Sequence, residues 1–483
     1  MRTSNSHPLQ IACVQPFVGS GRIGITFCSG KVQPGAMSGS WQRDLGLDLD
    51  AVSEWGAVAV LTLIEDHELA ALKVTDMGEQ VRARHMDWFH LPIPDVSVPD
   101  ATFERQWKTV GPDLMGRLRA GFDVLVHCKG GLGRAGTIAA RLMVELGVAP
   151  AEAVKAVRSV RPGAIETSAQ LDYVMAQQAV PEQEPATSAA AIRDRAIGAL
   201  LGLAVGDAVG TTLEFKPRDT YPQLQDMVGG GPFGLKPGQW TDDTAMALAL
   251  ADSLQHDPNL DETDLMQRFV DWYQNGTYSC TGQCFDIGIT TRQALARWQK
   301  TGDPFAGSTD PMSAGNGSLM RLAPVAIRHF ENRALLRDVA ARQSRTTHAA
   351  PEAVDACVAY AEVLADAIAG AKRSEVLRNR EEAMAGKITP IMAGSWRGKA
   401  RDGIRASGYV AHSLEASLWS VARSGDYRGA VLLAANLGED ADTTGAIAGQ
   451  LAGALYGEAG IPAAWREKLA WRPRLARAAA SLL

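Results

Sequence analysis

Hydrophobic positions change their period about two-fifths of the way along the chain. From Ile23 to Val180 the pattern alternates between strand and helix. Val58-Ala59-Val60-Leu61-Thr62-Leu63 and Asp123-Val124-Leu125-Val126-His127 are apolar runs of buried-strand length. Segments of helical period, such as Phe103 to Ala120, lie between and after them. This predicts an α/β layer with a central, mainly parallel sheet. From Ile192 onward helical period dominates and β-branched runs fade, which predicts an all-α unit. Between the two, the stretch from Val180 to Ala190 carries two prolines and no hydrophobic period. The expected division is 1–179, a linker at 180–191, and 192–483.

Glycine spacing adds a packing constraint. Gly198, Gly202, Gly206 and Gly210 fall four apart, and so do Gly445, Gly449, Gly453 and Gly457. Each set leaves one helix face without side chains, so another backbone can approach closely. Asp207 interrupts the first run, which favours a dense helical core over a membrane-spanning segment.

The composition fits a globular chain: 46% hydrophobic and 21% charged. The net charge of −6 argues against a broad nucleic-acid or anionic-membrane surface. Six cysteines without a disulfide framework, and no apolar leader before Pro16, point to a cytoplasmic protein with reduced thiols.

The second strand runs into His127-Cys128-Lys129-Gly130-Gly131-Leu132-Gly133-Arg134, then into a helix. Strand, glycine-rich loop and helix form an anion site, because the glycines free the backbone N–H groups to point inward. A Cys128 thiolate there is stabilised by amides, helix dipole and Arg134. The Arg134 fork suits two phosphoryl oxygens, with Lys129, Gly130, Gly131, Leu132 and Gly133 supplying the amides. Cys128 is thus expected to attack phosphorus and form a phosphocysteine. Asp95 is the expected general acid, with Asp100 second. The segment from about Ile23 to Met175 resembles the cysteine-dependent dual-specificity and tyrosine phosphatases, through HCKGGLGR. Its wider similarity, at Trp41 to Leu45, Trp55 to Ala57 and Arg161 to Thr167, is to the kinase-associated phosphatase branch. Many members of that family place a hydroxyl residue directly after the arginine. Here Ala135 stands there, with Thr137 two further on, so breakdown of the phosphoenzyme rests on another group such as Gln170 or is slow.

Two acidic clusters carry the chemistry of the second unit. Thr241-Asp242-Asp243-Thr244 and Asp440-Ala441-Asp442-Thr443-Thr444 each open a small-residue helix. Two carboxylates about 5 Å apart repel by roughly 3 kcal/mol at an effective dielectric near 20. A bound cation reverses that sign, and the all-oxygen donor set suits hard divalent ions. With GALLGLAVGDAVG, TGQCFDIG and GNGSLMRLAP, these clusters resemble the ADP-ribosylglycohydrolase family, which includes the dinitrogenase reductase-activating glycohydrolases. The resemblance spans about Arg193 to Leu483 and implies an all-α fold with two Mg²⁺ or Mn²⁺ ions in a central cleft. It implies Thr241, Asp242, Asp243, Asp440, Asp442 and Thr443 as metal ligands and Glu214 as a catalytic or gating carboxylate. It also implies that Asp286, Gly315, Asn316, Gly317, Ser318 and His348 bind ADP-ribose. Glu439 stands where relatives often carry another Asp, a change expected to be harmless.

The expectation is a bifunctional hydrolase. One site removes ADP-ribose, most readily from arginine, in a protein or small-molecule substrate. The other removes phosphate from a phosphorylated substrate. Neither nucleic acid nor membrane is an expected partner. The rival readings are an ADP-ribose reader in place of the hydrolase, and a phosphatase unit that acts on a phosphorylated nucleotide or sugar or only binds phosphate.

Overall fold

The computed structural model describes residues 1–36 and 39–483. The chain divides into two compact units, Met1–Gln183 and Glu184–Leu483.

The first unit is built on a five-stranded sheet in the order Ala12–Val14, Ile23–Phe27, Asp123–Cys128, Ala57–Thr62, Asp87–His90. The Ala12–Val14 edge is antiparallel and the other three pairings are parallel. Ala57–Thr62 is buried along its whole length, as a two-sided parallel strand requires. Asp123–Cys128 lies at the centre, and its carboxyl end leads through the glycine loop into the helix Gly133–Glu145. That is where parallel α/β sheets place ligands.

The proline-rich stretch between the units is tied at both ends. Val180 N–H donates to Glu145 O (2.9 Å). Glu184 pairs with Lys372 (2.9 Å) and Ala186 O accepts from Arg195 Nη1 (2.8 Å).

The second unit is helical, and the helices Ala189–Gly210 and Ala441–Gly460 form its centre. They run antiparallel with their glycine faces together. A Cβ at Gly198, Gly202 or Gly206 would overlap the carbonyl oxygen of Gly453, Gly449 or Gly445 respectively. Two buried tyrosines hold the pair from outside: Tyr427 Oη donates to Gly202 O (2.7 Å) and Tyr360 Oη to Ile447 O (2.6 Å). The segment Ala189–Leu213 is long and apolar enough to cross a membrane, but 94% of its apolar window is buried inside the protein.

A side chain placed between these backbones must push the two helices apart. Gly202→Leu is expected to destabilise the second unit by about 3 kcal/mol. Urea unfolding followed by far-UV circular dichroism measures it, and a change below about 1 kcal/mol would contradict the packing described.

Candidate active sites

In the first unit the anion loop closes on Cys128, whose Sγ accepts from Gly131 N–H (3.2 Å). Cationic side chains take the carbonyls on the loop's outer side. Lys31 Nζ donates to Lys129 O (3.2 Å), and Arg161 donates to Gly131 O (2.9 Å) and Gly130 O (3.2 Å). Holding carbonyls outward leaves the amides facing inward, where an anion would sit. Lys31 is buried, with its ammonium over the rings of Trp41 (4.4 Å) and Phe27 (4.8 Å). Burial pushes its pKa down to about 8.

Arg134 is buried and forked onto Glu68 (2.6 and 3.0 Å). Burial is the largest influence and works against the Glu68 charge, yet the Arg134 hydrogen bonds, the Glu65 backbone N–H and the charges of Arg134 and Lys129 together hold it below the usual carboxylate range. Asp95 reaches the same guanidinium at 2.9 Å. Asp100 does not: its carboxylate caps the helix Ala101–Arg119 through Thr102 N–H (2.9 Å) and Phe103 N–H (2.8 Å). Val96 and Ile165, on segments flanking the loop, have φ of 62° and 59°. Left-handed backbone at β-branched residues is strained and marks segments held for function. Behind the cysteine, Thr62 Oγ1 accepts from Trp88 Nε1 (2.8 Å) and pairs with His127 Nε2 (2.8 Å), and burial lowers the His127 pKa to about 4. Thr137 donates its hydroxyl to Gly133 O (2.7 Å). The Gln170 side chain is taken by Glu166 N–H (2.9 Å) and Ser97 O (3.2 Å).

The second unit brings the two acid clusters to one place. Oxygens of Asp207, Asp243 and Asp442 lie within 4.8 Å of one another, as do those of Glu214, Asp440 and Asp442. Asp442 is common to both groups. Each acid-bearing helix is capped by a carboxylate from elsewhere. Asp207 accepts from Thr241 N–H (2.9 Å), Thr244 N–H (3.1 Å) and both hydroxyls (3.0 and 2.6 Å), at the start of Asp242–His256. Glu214 accepts from Ala441 N–H (2.8 Å) and Asp442 N–H (3.3 Å), at the start of Ala441–Gly460. The hydroxyls of Thr241 and Thr443 lie 3.3 and 3.4 Å from Asp243 Oδ2. Asp243 Oδ1 is buried without a hydrogen-bond partner among the described residues.

A cavity of about 700 Å³ opens beside these groups. Glu214, Asp242, Asp286, Asp440, Asp442 and Thr443 line it on the acidic side, and Gly315, Asn316, Gly317 and His348 also line it. No Lys or Arg lines it among the described residues. Ser318, expected beside them, turns inward and is fully buried against Ser344 Oγ (2.8 Å). Asn316 Nδ2 donates to Asp440 (2.6 Å). Three lining residues other than glycine, Phe215, Asp286 and Glu439, have φ of 59°, 60° and 60°. Backbone bonds between the two segments hold two of them, from Phe215 N–H to Glu439 O and from Glu439 N–H to Lys216 O (both 2.8 Å).

The electrostatics call for a cation. Burial, then the charge of Asp442, pushes Asp207 and Asp440 up to about 7. The same two causes raise Glu214, and burial with neighbouring aspartates raises Asp242, Asp243 and Asp286. Crowded hard oxygens, one of them a buried orphan, fit a divalent ion.

The sequence reading uses Asp207 only as a break in an apolar glycine run and includes neither Glu68 nor Lys31. Asp207 had a usable signal, a carboxylate on an otherwise apolar glycine helix. Glu68 and Lys31 had none, since their roles depend on contacts across the fold.

Comparison with known proteins agrees with the division into two units of different fold. Residues 188–483 match the family model "ADP-ribosylglycohydrolase". Residues 26–174 match "Swiss Army Knife protein, DSP-PTPase phosphatase domain". The chain belongs to the ADP-ribosylglycohydrolase family. The ADP-ribosylarginine hydrolase Tri1 of Pseudomonas putida (strain GB-1) is 50% identical over 291 residues, which cover 60% of this chain and 78% of Tri1. Cyclin-dependent kinase inhibitor 3 of Rattus norvegicus is 29% identical over 144 residues, covering 29% of this chain and 66% of its own. A solved structure described as an ADP-ribosylglycohydrolase-related protein complex has 40% identity and a TM-score of 0.54, covering 60% of this chain and 97% of its own. The protein is an enzyme, with one hydrolase-family unit and one phosphatase-like unit.

The raised carboxylates have a measurable consequence. Their folded pKa values exceed the unfolded value near 3.8, so the folded state holds more protons between about pH 4 and pH 7. Stability therefore falls as pH rises through that window. In chelator, the second unit should melt roughly 5 °C or more lower at pH 7.5 than at pH 5. Scanning calorimetry decides this, and a flat pH profile would contradict the crowding described.

Proposed function

We propose that the chain is a bifunctional hydrolase. Its second unit cleaves the glycosidic bond of ADP-ribosyl-arginine, and its first unit removes phosphate through a phosphocysteine. The observation that carries the glycosidic activity is the pair of carboxylate groups sharing Asp442, of which Glu214, Asp440 and Asp442 line a cavity that no lysine or arginine lines among the described residues.

Thr241, Asp242, Asp243, Asp440, Asp442 and Thr443 would hold two divalent ions, with Asp207 bordering them. Bound Mg²⁺ or Mn²⁺ would supply an acidified water and a grip on ribose hydroxyls. The protein's own groups do the rest. Asn316 fixes Asp440 through its hydrogen bond. Glu214 borders the cavity while capping the Ala441 helix; with cations offsetting the neighbouring carboxylates it would ionise and offer negative charge to a developing oxocarbenium. Asp286 adds to that field from the same wall. The helix Ile289–Thr301 opens on the cavity with no side-chain cap, so its first amides can take the pyrophosphate. Gly315, Asn316, Gly317 and His348 border the same space and complete the ADP-ribose pocket. Arginine is the proposed acceptor, as the name of the Pseudomonas relative, an ADP-ribosylarginine hydrolase, supports.

In the first unit, Cys128 Sγ attacks phosphorus, forming the S–P bond as the P–O bond breaks. Asp95 gives its proton to the leaving oxygen. Water then attacks, the S–P bond breaks, and a proton returns to Asp95. Inward amides and Arg134 hold the phosphoryl oxygens, which requires Asp95 to leave the guanidinium. The usual hydroxyl donor to the departing sulfur is missing at Ala135. Thr137 and Gln170 are committed elsewhere. Breakdown of the phosphoenzyme is therefore the slow step.

Two assays test the halves separately. ADP-ribose release from ADP-ribosyl-arginine should require Mg²⁺ or Mn²⁺, stop with chelator, and fall at least about 100-fold in Asp243→Ala. Tight ADP-ribose binding without release would instead make the unit a reader. With p-nitrophenyl phosphate, a burst should precede slow turnover. Cys128→Ser should show neither phase, and Asp95→Asn should slow the burst by about 100-fold or more. A linear time course without a burst would contradict rate-limiting breakdown.

A further inference from the structure

His348 closes the helix Arg333–Thr347 and reaches the 700 Å³ cavity with one ring edge. Its other nitrogen, Nδ1, lies 2.8 Å from Thr347 Oγ1. The same hydroxyl lies 2.9 Å from Arg321 Nη2. Arg321 is fully buried with no carboxylate in its hydrogen-bond set. Its guanidinium also donates to Gln343 Oε1 (3.0 Å), Gln343 O (2.9 Å) and Thr346 Oγ1 (3.3 Å), and lies over the Phe269 ring (4.6 Å).

One proton arrangement satisfies every polar group in this set, including the Thr347 hydroxyl proton. A guanidinium only donates, so Thr347 Oγ1 accepts from Arg321. The single hydroxyl proton of Thr347 is then free for its other partner, His348 Nδ1. An accepting Nδ1 puts the ring proton of a neutral imidazole on Nε2. Burial, then the charge of Arg321, lowers the His348 pKa to about 3, so the ring is neutral at working pH. Nε2 has no protein partner among the hydrogen bonds of the described residues and lies over the glycine turn. A Cβ at Gly317 would stand 3.0 Å from it and one at Gly315 3.3 Å. Only glycines at those two positions leave the edge room to meet a ligand.

We infer that Arg321 and Thr347 are positioning residues that hold His348 as a neutral Nε2–H donor, aimed at an acceptor oxygen of the ADP-ribose in the cavity. The inference rests on the proposed ADP-ribose site for its ligand but not for its proton arrangement. It gives Arg321, a buried cation hydrogen-bonded to no carboxylate among the described residues, a part in binding: it directs one hydroxyl proton and so sets a tautomer two residues away in the hydrogen-bond chain. A relay of this kind selects for oxygen acceptors and against a protonated nitrogen in the ligand.

The test uses the full chain with ¹⁵N-labelled histidine, and His348→Gln to assign the signals. Without ligand, His348 should show a protonated Nε2 and an unprotonated Nδ1, unchanged between pH 5 and pH 8. Thr347→Val keeps the side chain's shape and removes the hydroxyl. It should mix the tautomers and weaken ADP-ribose affinity, measured calorimetrically with Mg²⁺, by about fivefold. Thr347→Ser should restore both. A protonated Nδ1, a charged ring in the wild type, or a Thr347→Val protein with unchanged tautomer and affinity would overturn the inference. Should Thr347→Val fail to fold, the wild-type spectrum and Thr347→Ser still decide. Loss of catalytic turnover alone, with spectrum and affinity as expected, would count against the hydrolase reading and leave the relay standing.

Discussion

The second unit depends on one contact: two helix backbones touching where side chains would otherwise hold them apart. Glycine meets glycine at three successive turns of the antiparallel pair Ala189–Gly210 and Ala441–Gly460. Asp207 follows the last of these contacts on one helix, and Asp442 precedes the facing glycine on the other. Residues over two hundred positions apart thereby share one small volume. Ordinary side chains would separate the helices, and the oxygens of Asp207, Asp243 and Asp442 could not stay within 4.8 Å of one another. The crowding is electrostatically costly, and a bound hard cation would offset that cost. Capping follows the same logic. Because Asp207 and Glu214 satisfy the helix amides from outside, the carboxylates at the start of each helix keep oxygens for a ligand.

The first unit solves the opposite problem. Its loop is arranged to suit an anion: positive groups take the loop's carbonyls and its amides face inward. Lys31 and Arg161 take three consecutive carbonyls of the loop, and Glu68 holds Arg134 in place. Asp95 shares the same guanidinium with Glu68. The two units therefore show complementary electrostatics: a cage of carboxylates in one and a cradle of amides and cations in the other.

Much of this was legible along the chain, wherever the signal was local. Strand period, the HCKGGLGR loop, the four-residue glycine spacing and the acid–hydroxyl runs each lie within a short window. Signals that depend on chain crossings were not legible. Glu68 reaches Arg134 across 66 positions and Asp207 reaches Thr241 across 34. Orientation was equally hidden. Ser318 belongs to the same motif as Asn316, yet its hydroxyl turns inward while Asn316 reaches Asp440. Nor does the sequence mark Phe215, Asp286 and Glu439 as left-handed, since none is a glycine. Their strain is sustained by the packed surroundings.

The most direct test of the central claim is to count metal ions. Chelator-stripped chain is dialysed to equilibrium against Mn²⁺, and bound metal per chain is measured for the wild type and for Asp442→Asn. Two overlapping carboxylate groups with Asp442 in common predict two ions per wild-type chain at saturation and at most one in the variant. No saturable binding, or two ions retained without the shared carboxylate, would contradict the account.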